Sequence, residues 1–152
     1  MYNWQRIFAF ITGSLVFGLL IILVSRNFIQ YTAREGATGY LFLLGFALIY
    51  LNVNFGISRR FVIKAVDSKW VCYLMTFLTI IPTLFWIFSK DVGLEGMKSL
   101  FTMVVIISAF FGSYLGIWRG NVKREKYIQQ LREEKRDLPD ELKRPHDDLS
   151  KN

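Results

Sequence analysis

The chain has 152 residues, a formal charge of +7, one cysteine (Cys72) and one histidine (His146). A single cysteine excludes an intrachain disulfide and paired-thiol redox chemistry. No His, Cys and carboxylate cluster has metal-ligand spacing, so neither a metal nor a cofactor is expected. A basic balance can serve nucleic acid, anionic lipid or membrane topology. Placement decides between them: apolar residues fall in four blocks, and the charges lie almost wholly between and after those blocks.

Block one covers residues 7–24 and contains thirteen residues drawn from Ile, Leu, Phe and Val. At about −0.3 to −0.6 kcal/mol each at a helix centre, these favour insertion by roughly 4–8 kcal/mol before Gly, Ser and Thr subtract from it. The run exceeds a signal-peptide core and no small-x-small cleavage pattern follows, so it reads as a retained signal anchor. Block two covers residues 39–57, block three 70–88 and block four 100–118, and none of the four contains Asp, Glu, Lys, Arg or His. Each approaches the roughly 20 residues that a helix needs to cross about 30 Å of hydrocarbon. Buried helices of a soluble bundle usually have shorter apolar runs and a polar face. The expected fold is therefore all-α: a polytopic membrane protein with four transmembrane helices in a bundle. Residues 1–120 would form the membrane domain and 121–152 a charged cytoplasmic tail.

Helices in lipid associate through small residues and interhelical hydrogen bonds, because hydrophobicity does not press one membrane helix onto another. Block one offers Ala9/Gly13 and Ser14/Gly18, and block two aligns Gly45, Asn52 and Gly56. Block three aligns Cys72, Thr76, Thr79 and Thr83; block four repeats Ala109, Gly112 or Ser113, Gly116 and Gly120. Asn52 and Asn54 are the amide side chains within the blocks. They are two apart and point to different faces. Asn52 shares the small-residue stripe, which predicts a structural hydrogen bond, while Asn54 lies nearer the inner interface and is expected to be wet. Pro82 cannot donate to the carbonyl of Leu78, which predicts a kink there, with nearby threonine hydroxyls serving the freed carbonyl.

The second loop, SRRFVIKAVDSK, alternates cations with apolar residues. It is expected to lie on the interface, with Phe61, Val62 and Val66 dipping in and Arg59, Arg60 and Lys64 reaching anionic headgroups. After block four come Arg119, Lys123, Arg124 and Lys126, a second candidate patch for anionic lipid. The tail is expected to continue block four as a helix to about residue 136, with Val122, Tyr127, Ile128 and Leu131 on one side, and to be mobile beyond it. Acidic residues nearly balance basic ones past Lys126 and no recognition fold is present, so nucleic acid is not an expected partner.

Orientation follows from Lys and Arg near the block ends. Arg6, Arg59, Arg60, Lys64, Lys69, Arg119, Lys123, Arg124, Lys126, Arg132, Lys135 and Arg136 lie on one side, twelve in all; Arg26, Arg34, Lys90 and Lys98 lie on the other. Twelve against four puts the N-terminus, the second loop and the tail in the cytoplasm and argues against dual topology. Trp4, Trp70 and Trp118 then mark the inner interface, and Tyr31, Tyr40 and Trp86 the outer one.

Proton relays and coupled transport usually place an ionisable group inside the membrane, and these blocks carry none. The residue sets of serine hydrolases, P-loop enzymes and HExxH metalloproteases are also missing. No catalytic residue is assigned. The expectation is a non-enzymatic plasma-membrane protein, in a bacterial inner membrane, that works through helix–helix or partner contacts: an accessory or assembly subunit, or an immunity-type protein. Its partners would be the bilayer, anionic headgroups on the cytoplasmic side, and another membrane protein or a second copy. The alternatives are a small oligomeric channel or transporter for a neutral or small solute, and a lipid-modifying enzyme with unrecognised catalytic residues.

Overall fold

The computed structural model describes residues 4–34, 37–64, 69–89 and 98–133, and these form four helices: α1 (Trp4–Arg34), α2 (Ala37–Lys64), α3 (Lys69–Ser89) and α4 (Lys98–Glu133). All four are long and apolar enough to cross a membrane. A helix satisfies its backbone polar groups internally, which is why a chain of such blocks adopts this form where water is excluded. At about 1.5 Å per residue, α3 measures roughly 31 Å and α4 roughly 54 Å, so α4 outreaches the hydrocarbon thickness of about 30 Å. The outward surface fits the same environment: Leu23, Leu41, Phe85, Phe88 and Ile107 are all largely exposed. A soluble monomer rarely shows so large a contiguous apolar area.

The helices form a ring in the order α1, α2, α4, α3. Each is packed on its ring neighbours, α2 and α3 meet weakly across one diagonal, and α1 and α4 do not approach each other among the described residues. Neighbours α2 and α4 run parallel, because residue numbers rise together along their seam: Gly112 meets Leu51, Gly116 meets Phe55 and Ser58, and Gly120 meets Arg59 and Val62. Glycine is required at this seam. A Cβ on Gly112 would lie 2.3 Å from the Leu51 carbonyl oxygen, and one on Gly116 would lie 2.6 Å from that of Phe55. The α1–α3 seam has one such point, where Gly18 faces the backbone of Thr79 and the ring of Pro82.

Two apolar clusters fill the interior. The first gathers Ile21, Leu43, Phe46, Tyr50, Ile80, Ile87, Phe101, Val105 and Ala109. The second gathers Phe61, Val62, Cys72, Met75 and Ile117 at the end where α1 begins and α2 ends. The interfacial placement of Phe61 and Val62 is thus corrected: α2 runs on to Lys64, and both residues are buried in the protein. The helical surface of α4 explains this, since Gly120 leaves room for Val62. Val66 lies outside the described residues, as does everything from residue 134, including the part of the tail expected to be mobile. The α3 helix continues through Pro82.

Candidate functional site

Three features carry polar chemistry on this apolar frame. The first is a ladder of hydrogen bonds along the bundle centre. Cys72, Thr76, Thr79 and Thr83 follow one another at four, three and four residues on α3, and all are buried. The Thr76 hydroxyl donates to the Cys72 carbonyl at 2.9 Å, a return bond within the helix. The Thr79 hydroxyl lies 2.7 Å from the Thr76 carbonyl and 2.9 Å from Asn54 Oδ1. Its single proton serves one of them at a time. Asn54 Nδ2 donates to the Tyr50 carbonyl at 2.9 Å, and the Tyr50 phenol pairs with the Thr83 hydroxyl. Ser58 and Ser113 join α2 to α4 at 2.7 Å. These groups are hydroxyls and amides; none of them is a base able to activate a nucleophile near neutral pH. Among the described residues, no three His, Cys, Asp or Glu side chains converge as a metal site would need.

Asn54, expected to be wet, is buried at the diagonal contact, whereas Asn52 makes a hydrogen bond but within its own helix and on an exposed face, its amide donating to the Leu48 carbonyl at 2.8 Å. Two residues apart on a helix are roughly 200° apart around it, so only one of the pair can face α3. Of the small residues singled out from sequence, Gly18, Gly112 and Gly116 sit at close helix crossings, and Thr76 and Thr79 belong to the ladder. Among the described residues, no atom lies within 4 Å of where a Cβ on Gly13, Gly45 or Gly56 would stand.

Gly13 and Gly56 instead open the second feature, a groove between α1 and α2 of about 430 Å³. Phe10, Phe17, Asn52 and Val53 line it, and Arg60 stands at one end. Phe10 meets Phe61 edge-on at 5.4 Å beside that end. Gly45 lies outside the groove.

The third feature is the basic end of the bundle. Arg59, Trp118, Arg119, Val122, Lys123 and Lys126 surround a cleft of about 270 Å³. Arg59 is half-buried, with its guanidinium 5.9 Å from the centre of the Phe55 ring; Arg119, Lys123 and Lys126 are exposed. Lys64 is exposed at the end of α2 and Arg60 at the groove mouth. Arg124 departs from this set, because it is turned inward and only 2% exposed. Leu131 is buried as well, while Val122 and Tyr127 remain exposed, so the apolar stripe expected of the tail helix is split between two faces.

No protein-family model matches this chain, and no curated protein or solved structure matches it either.

Proposed function

We propose that this is a non-enzymatic, multi-pass plasma-membrane protein of a bacterial inner membrane, with both termini cytoplasmic, that works by docking a transmembrane helix of another membrane protein in the groove between α1 and α2. It would serve as an accessory or assembly subunit, or as an immunity-type protein. The observation that carries this reading is the groove itself. Two glycines with open space beside them and an exposed amide lie together on a mostly apolar surface. Small residues let a second backbone approach closely, and an amide at that depth gains about 0.6–2 kcal/mol from a partner across the interface. A lipid chain offers no such partner.

Charge favours a different protein over a second copy. Two copies inserted the same way and related by a twofold axis along the membrane normal would set Arg60 and Lys64 opposite their own equivalents. Like charges brought together oppose association. A partner with a carboxylate beyond its cytoplasmic helix end would meet Arg60 favourably. The channel reading has less support, because the bundle centre is filled by Tyr50, Asn54, Thr79 and Thr83; a path would have to run between copies.

The test is co-purification in mild detergent with Gly13→Leu and Gly56→Leu, which fill the groove, beside Gly45→Leu, which does not. A partner retained by the wild type and by Gly45→Leu but lost tenfold or more with the groove variants is expected. A chain that stays alone, or a partner indifferent to the groove variants, overturns the reading. Orientation has its own test. An epitope tag after Asn152 should react with antibody only once the cells are permeabilised; labelling of intact cells would reverse the topology.

A further inference from the structure

We infer that the cleft at the basic end binds a single anionic phospholipid whose headgroup carries two phosphates, of the diphosphatidylglycerol class. The site is separate from the α1–α2 groove; with that reading it shares only membrane insertion.

The fold itself gathers the charges. Arg119, Val122, Lys123 and Lys126 are spaced at three, one and three residues on α4, so they share one helix face. Glu125 is one residue from Lys126 but roughly 100° around the helix from it, and it does not line the cleft. The fourth cation comes from α2. A Cβ on Gly116 would stand 3.1 Å from the Arg59 backbone nitrogen, and one on Gly120 would stand 3.2 Å from its carbonyl oxygen. The glycine seam thus presses Arg59 onto α4 beside the three cations of that helix. Four like charges around about 270 Å³, with no carboxylate among the described residues of the lining, favour an anion held between them. One phosphate leaves most of that charge uncompensated, whereas two phosphates on one headgroup offset more of it at a single site.

The source of the phosphates follows from the rest of the lining. Trp118 is exposed at the cleft, and Val122 adds an apolar wall. Tryptophan at this point of an apolar helix belongs at headgroup level, its ring against the glycerol region. A cleft between helices with cations above and an indole below suits a lipid whose chains continue down the bundle surface.

The experiment uses the purified full-length chain in mild detergent and reads the thermal midpoint as lipid is titrated. Diphosphatidylglycerol is expected to raise the midpoint by several degrees, saturating near one lipid per chain in native mass spectrometry. Phosphatidylglycerol at matched charge should give less than half that shift, and inorganic pyrophosphate none. The double variant R119Q/K123Q should lose the saturable shift, while Lys69→Gln, outside the cleft, and Gly56→Leu, in the other groove, should keep it. Equal shifts from the two lipids would mean diffuse attraction and overturn the proposal. So would an equal shift from pyrophosphate, an acidic peptide or an oligonucleotide, or a full shift in the double variant.

Discussion

Gly112→Ala is expected to destabilise the bundle by about 3 kcal/mol or more, at or above the upper end of what overpacking usually costs. The added Cβ would stand 2.3 Å from the Leu51 carbonyl oxygen, 2.9 Å from its Cα and 3.0 Å from its carbonyl carbon. All three are backbone atoms, so no rotamer change relieves the clash. The helices α2 and α4 must separate by roughly an ångström to restore ordinary contact distances near 3.5 Å. That separation stretches the 2.7 Å Ser58–Ser113 bond immediately along the seam. It also loosens Phe46 from Phe101, whose rings lie 4.9 Å apart. Alanine is the better helix former by about 1 kcal/mol, so the loss appears despite a local gain. The measurement is the thermal midpoint in mild detergent, with Gly13→Ala and Gly45→Ala as comparison. Both of those place a methyl in open space and should match or exceed the wild type. A Gly112→Ala protein as stable as these two would mean that α2 and α4 do not cross at this point.

The four helices were legible because a charge-free run of about twenty apolar residues has few other stable forms. Their ends were less so. The loop after block two reads as an alternating interfacial segment, yet α2 carries its helix through Arg59 and Arg60 to Lys64. Helical geometry tolerates cations at a helix end that leaves the hydrocarbon, and nothing local stops the helix before Lys64. Gly112 and Gly116 were recognisable as a small-residue run. What spacing alone does not contain is the neighbour: Gly45 and Gly56 show an equally regular pattern with Asn52, yet neither sits at a close helix crossing. Rotation of a helix about its axis is set by the sum of its contacts, and no single stripe reveals it. A competing stripe on α2 was available, since Tyr50, Asn54 and Ser58 recur every four residues. In lipid each of these polar groups needs a partner, and together they mark the buried face more strongly than two glycines and one amide do. The cleft at the basic end was half visible. The α4 cations share a face by spacing, but the addition of Arg59 and the inward turn of Arg124 depend on how closely α2 approaches.

Tyr50 gives the second large effect and separates packing from hydrogen bonding at the bundle centre. Its ring is fully buried, meets Phe46 edge-on at 5.1 Å, and its phenol pairs with Thr83 across the α2–α3 diagonal. Tyr50→Ala removes the whole ring and should cost about 3–5 kcal/mol, the range for buried aromatics cut to alanine. Tyr50→Phe keeps the ring and removes one interhelical hydrogen bond. That should cost only about 0.6–2 kcal/mol, because the Thr83 hydroxyl can turn back to a carbonyl of its own helix. A double-mutant cycle of Tyr50→Phe with Thr83→Val then isolates the pair and should return a coupling in the same range. The α2–α3 diagonal is the weakest of the helix contacts, and hydrogen bonds are what join it: Tyr50 to Thr83, and Asn54 to Thr79. If Tyr50→Phe proved as costly as Tyr50→Ala, the phenol would be holding the diagonal by itself and the ring would be incidental. If neither variant lowered the thermal midpoint, α2 and α3 would not meet at this residue, and the ring order of the helices would have to be redrawn.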